Sequence, residues 1–181
     1  MILAPGVIIA VVVAIVVAIG FMVLYNSLVS ARQRVREAWS AIDVQLQRRA
    51  SLIPNLVEAV KGYAAYERGT MIRVVEARSA LGSASGPRQA AQANDELSGA
   101  LRSVFALAEG YPDLKANERF AQLQADLADT ENKIAYARNY YNGAVETYNI
   151  RVQSVPGVLV ARTAGFAPAE FFTADGQGMA R

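Results

Sequence analysis

Residues 120–149 read FAQLQADLADTENKIAYARNYYNGAVETYN. Phe120, Leu123, Leu127, Thr130, Ile134, Ala137, Tyr141, Ala144 and Tyr148 recur there at three- and four-residue steps, the spacing that puts side chains on one face of a helix. Proline is absent between Asp113 and Val155, and the lone Gly143 costs about 1 kcal/mol relative to alanine. A seven-residue repeat held this long suits packing in a bundle or coiled coil.

Working toward the N-terminus, Asn117 offers a capping oxygen and Glu118 a favourable charge at the start of this helix. Gly110-Tyr111-Pro112-Asp113 stops a preceding helix over 88–109, whose Leu97, Leu101, Val104, Phe105 and Ala108 share a face. LGSASGP (81–87) is the clearest linker, since Gly, Ser and Pro cluster there without apolar period. Between Tyr25 and Leu81 helical spacing returns in Leu28, Val35, Ile42 and Leu46, with Trp39 beside them, and then in Ile53, Leu56, Val60, Tyr63, Met71 and Val74. Pro54 interrupts it, and Ser51 can cap a new start, so a break or kink is expected at Ser51–Pro54. On the other side, Ser154-Val155-Pro156-Gly157 ends the long helix. Phe166, Phe171 and Phe172 are expected to fold back as a plug, with contact between 158–172 and the membrane surface as the alternative.

Val7 to Leu24, VIIAVVVAIVVAIGFMVL, is apolar throughout, and no Asp, Glu, Lys or Arg occurs before Arg32. As a helix it would span roughly 27 Å, close to the hydrocarbon thickness of a bilayer. Val29-Ser30-Ala31 resembles a cleavage site, but the run lacks a basic leading region and exceeds the usual signal length. A retained anchor is therefore expected. Arg32, Arg34 and Arg36 follow it, and the positive-inside rule places the later residues in the cytoplasm. The expected organisation is a short segment 1–6, a transmembrane helix 7–25, a helical bundle domain 26–172 and a flexible tail 173–181. The fold class is all-α, an N-terminal transmembrane helix followed by an antiparallel up-and-down four-helix bundle.

Composition narrows the chemistry. The 181 residues hold no cysteine and no histidine, and the net charge is +2. Disulfides, thiol nucleophiles, imidazole bases and the Glu-x-x-His ligands of di-iron bundles are thus excluded. Asp126, Asp129, Glu131, Glu58, Glu67 and Glu76 read as solvated helix faces, and LGSASGP lacks the lysine of a phosphate loop. The expectation is a non-enzyme with no cofactor, no metal and no nucleic-acid partner.

Several strings are more specific than any period: YNSLV (25–29), AWSAIDVQLQRR (38–49), LIPNLVEAVKGY (52–63), LSGAL (97–101), EGYPDLKANERFAQLQADLADTENKIAYARNYYNGAVETYN (109–149) and FAPAEFF (166–172). On these the chain resembles the LemA family of bacterial membrane-anchored proteins. The resemblance implies the same anchor and bundle, a place in the inner (cytoplasmic) membrane or a specialised membrane, and no particular activity. One departure lies in AYERGT (65–70), where a helix-favouring residue is expected in place of Gly69.

Two residue sets stand out as functional candidates. Arg32, Arg34, Arg36, Arg48 and Arg49 could gain about 1 kcal/mol each against anionic headgroups; the alternative is pairing with the bundle's own acids. Tyr136 and Tyr140 fall off the core stripe and are candidate interface rings, whereas Tyr141 and Tyr148 fall on it. The leading expectation is a structural or interaction protein that self-assembles or docks protein partners at the membrane face. The alternative is an anionic-lipid-binding or membrane-shaping protein acting through the basic juxtamembrane segment.

Overall fold

The computed structural model describes residues 5–63 and 68–174. Among them there are six helices and no strand: α1 (Pro5–Lys61), α2 (Arg68–Ser83), α3 (Pro87–Ala108), α4 (Pro112–Lys115), α5 (Glu118–Gln153) and α6 (Gly157–Ala164). Residues 1–4 and 175–181 of the expected terminal segments, and 65–67 of AYERGT, lie outside the described residues. Gly69 falls in the first turn of α2, where a helix interior penalty hardly applies.

The chain forms two compact units, one built from the residues up to Glu37 with Gly143–Ala169, the other from Ala38–Asn142 with the residues from Glu170 onward. The second unit is the four-helix bundle. Its α1 and α5 segments run antiparallel, since Trp39 meets Tyr141, Arg48 meets Asp129 and Tyr63 meets Asn117. Likewise α3 and α5 are antiparallel, with Ser98 opposite Glu131 and Phe105 opposite Phe120. Ile42, Leu46, Ile53, Leu56, Val74, Leu97, Leu101, Leu127 and Ile134 form its core.

In the first unit α1 begins as the apolar segment. That segment is long and apolar enough to cross a membrane, and none of its side chains is buried. The helix continues without interruption into Leu28, Ala31 and Val35, which are buried. Tyr148 and Val152 of α5, Val160 and Ala161 of α6, and Phe166 supply the rest of this core. Cleavage after Ala31 would remove Leu28 and Ala31 from it.

Three boundaries differ from the sequence-based expectation. The helix does not break at Ser51–Pro54: α1 passes through Pro54, and the Ser51 hydroxyl donates to the Arg48 carbonyl at 2.7 Å rather than capping a new start. A proline at 54 leaves the Ala50 carbonyl without its usual donor. The Arg78 Nε of α2 donates to that oxygen at 3.0 Å, so a neighbouring helix replaces the missing bond. The linker is shorter than LGSASGP, because α2 carries Leu81 into the core and ends only at Ser83. Finally, residues 157–164 form α6, which turns at Gly165 in the left-handed region (φ 71°) with Phe166 N–H on the Ala161 carbonyl.

The α5 stripe holds from Phe120 to Tyr141, then shifts by one: Val145 is buried and Ala144 only half-buried. Ile134, Ala137, Tyr141 and Val145 span eleven residues in three turns, the local unwinding that lets a seven-residue repeat stay on its face. The Asn117 cap is in place, its Oδ1 accepting from Phe120 N–H at 3.0 Å.

Candidate functional site

The five candidate arginines separate into four environments. Arg34 and Arg36 are exposed on α1. Arg32 is half-buried, its guanidinium 4.7 Å from the centre of the Phe166 ring, which also packs edge-on against Tyr25 at 5.7 Å. Phe166 thus sits between residues two helical turns apart, where a cation over a ring face adds to apolar burial. Arg48 is exposed and paired with Asp129 at 3.3 Å. A hydrogen bond from Lys133 at 2.8 Å is the main reason the Asp129 carboxyl lies below the usual carboxylate range.

Arg49 is turned into the bundle. Only 3% of its side chain is exposed; it donates to Asn94 Oδ1 at 2.6 Å and forms an ion pair with Glu131, which also accepts from Ser98 at 3.2 Å. Burial pushes its guanidinium below the ordinary value, against the charge of Glu131. The alternative reading, pairing with the bundle's own acids, describes Arg49. Arg49 and Glu131 border a groove of about 250 Å³ between α3 and α5, with Leu101, Arg102, Phe105 and Gln124 on its walls.

Tyr136 and Tyr140 are 78% and 57% exposed, one turn apart on α5 and off its core stripe. Pairing of Trp39 with Tyr141 and of Arg48 with Asp129 sets the register of the two helices. Exposed Val44 on α1 therefore lies at the level of Tyr136.

Tyr141 and Tyr148 are buried, as the stripe required, and each is followed by an asparagine that grips the C-terminal segment. In the second unit Tyr141 donates to the Glu170 carbonyl at 2.8 Å, and Asn142 Oδ1 accepts from Phe172 N–H at 2.9 Å. In the first, Tyr148 donates to the Ala167 carbonyl at 2.9 Å, and Asn149 holds both backbone groups of Ala169 at 2.8 and 2.9 Å. The repeated Tyr-Asn pair, seven residues apart in the sequence, is the signal for this strap. Phe166 and Phe172 are buried by it as the plug expectation held, while Phe171 stays exposed.

Burial, and secondarily the charge of Glu170, pushes the Tyr141 phenol up to about 12. An unfolded tyrosine titrates near 10. The folded state therefore favours the protonated phenol, a stabilisation fully present below pH 10 and lost as pH rises through 12. We expect the full-length protein to lose about 2 kcal/mol from this source over that window. Denaturant midpoints measured against pH should fall less steeply for Tyr141→Phe; equal slopes would refute the assignment.

The apolar segment, the bundle and the strap define a membrane-associated all-α protein. The chain belongs to the LemA family, whose model matches residues 38–181. Magnetosome proteins MamQ 1 and MamQ 2 of Paramagnetospirillum magneticum are each 26% identical to it over 174 residues, covering 82% of this chain and 64% of theirs. Protein LemA of Metamycoplasma hominis is 25% identical over 131 residues, covering 70% of this chain and 58% of its own. The chain thus spans less than two thirds of the length of these relatives.

Proposed function

We propose that this chain is a membrane-anchored, non-enzymatic interaction protein that self-associates through the Tyr136–Tyr140 face of its bundle. The observation that carries the reading is the exposure of two tyrosine rings one turn apart, with Val44 exposed at the same level of the neighbouring helix. Amphipathic aromatic rings of this kind are enriched in protein interfaces. A second copy is the favoured occupant, because anchored chains share one plane and one direction, which raises their effective concentration. The absence of His and Cys from the sequence supports a role without acid–base or nucleophilic chemistry. The three arginines after the apolar run support a bacterial inner-membrane placement with the bundle in the cytoplasm.

The second reading, anionic-lipid binding, is supported by exposed Arg34 and Arg36. Helical rise puts them roughly 15 and 18 Å beyond Leu24. Helical side chains tilt back toward the N-terminus, here toward the bilayer, but the interfacial layer is only about 5–8 Å thick. Geometry therefore favours protein contact.

Because the chain has no cysteine, a Tyr136→Cys variant in native membranes reports proximity cleanly. Oxidation is expected to yield a crosslinked dimer, and Tyr136→Ala with Tyr140→Ala to lower the oligomeric fraction several-fold in mild detergent. A strictly monomeric protein in both assays would end this reading, as would a crosslink to some other protein alone.

A further inference from the structure

The end of the first unit beside the apolar segment carries apolar side chains that are exposed among the described residues. The α5 helix runs toward this end, and Arg151 Nη1 reaches Ser27 Oγ at 2.8 Å. The chain then turns at residues 154–156, forms α6 and returns with Phe166 against Tyr25. Both ends of the excursion are thus fastened to α1 at Tyr25–Ser27, on the order of 2–5 Å of helical rise past Leu24, where the apolar run stops. Between the fastenings Gly157, Val160 and Ala161 face inward, while Val155 and Leu159 are 80% and 64% exposed.

We infer that Val155 and Leu159 enter the boundary between acyl chains and headgroups, giving the protein a second membrane contact beside its helical anchor. The inference rests on the reading of Val7–Leu24 as a membrane-spanning helix. Single exposed aliphatics are ordinary on protein surfaces. Here, however, Val155 is the most exposed large apolar side chain among the described residues, and Leu159, four residues on in α6, is exposed as well. Arg162, exposed in the last turn of α6, supplies the cationic flank that interfacial helices place among headgroups. The chemistry fits a phospholipid surface. A contact of this kind would fix the rotation of the first unit about the anchor axis, which one spanning helix alone leaves free.

The test uses the full-length chain reconstituted in vesicles of phosphatidylcholine and phosphatidylglycerol. Val155→Cys and Leu159→Cys carry a nitroxide, with Val13→Cys as the reference within the apolar run and Ser103→Cys, at an exposed position of α3, as the reference in water. Collision with oxygen, which partitions into lipid, is compared with collision with a water-soluble nickel chelate. The oxygen-to-nickel ratio at 155 and 159 is expected to exceed that at 103 several-fold and to approach that at 13. Ratios at 155 and 159 equal to that at 103, with 13 still in lipid, would overturn this inference while leaving the anchor intact. Exclusion of both probes from 155 and 159 would mean a protein covers them, which also overturns it. A water-accessible label at 13 would remove the anchor reading itself.

Discussion

Replacing Glu131 with leucine is expected to lower the unfolding free energy of the full-length protein by about 3 kcal/mol. The substitution strands the Arg49 guanidinium in the bundle, with Asn94 Oδ1 still accepting from it but no carboxylate opposite its charge. Breaking a buried ion pair by removing one partner costs about 3–5 kcal/mol, because the other charge stays desolvated. Glu131 is 47% exposed, so water can approach the vacated side, and the lower end of that range applies. Replacing both partners, Arg49→Met with Glu131→Leu, removes the stranded charge and is expected to recover most of the loss. Denaturation of the protein in mild detergent, followed by circular dichroism, reads both. If the single and double variants lose the same amount, the buried charge is not what makes Glu131 matter.

Arg49 also shows where the sequence was legible and where it was passed over. Ile42, Leu46, Ile53 and Leu56 are core residues, and position 49 falls three after Leu46 and four before Ile53, squarely on their stripe. Arg48 is rotated away by one residue, about 100° around the helix. The Arg48-Arg49 pair therefore looks like one basic patch in the sequence but points in two directions in the fold. Charge alone suggested headgroups; phase would have placed Arg49 inside, and Asn94, three before Leu97 on α3, as a polar residue on a matching stripe. The helices themselves were legible because their apolar periods are strong and the turns carry Gly and Pro. The continuity of α1 through Pro54 was not. It is accompanied by the Arg78 bond to the Ala50 carbonyl, a contact made across 28 residues that no local pattern contains. The return of the C-terminal phenylalanines was legible from their apolar rings, but what holds their segment was not: it has little period of its own and is ordered by Tyr141, Asn142, Tyr148 and Asn149 from another element.

Replacing Gly157 with alanine is expected to destabilise the first unit by about 3 kcal/mol, at the upper end of what overpacking costs. A Cβ at this position would stand 2.1 Å from the Arg151 carbonyl oxygen, inside the backbone of the preceding helix. No flexible side chain can yield there, so either the last turn of α5 or the first turn of α6 must move. Arg151 holds Ser27, and α6 leads to Phe166 on Tyr25, so displacement at Gly157 loosens both fastenings between the C-terminal elements and the base of the apolar segment. Gly143 provides the control. It is exposed within α5 and an added Cβ there meets nothing within 4 Å, so Gly143→Ala is expected to stabilise by about 0.5–1 kcal/mol. The two variants make the same chemical change in opposite settings, and their effects must differ in sign. Hydrogen exchange in detergent should show faster exchange in α6 and around Phe166 for Gly157→Ala alone. A Gly157→Ala protein as stable and as protected as the parent would show that α6 is free to shift without disturbing the base, and that the close approach to Arg151 is not a constraint.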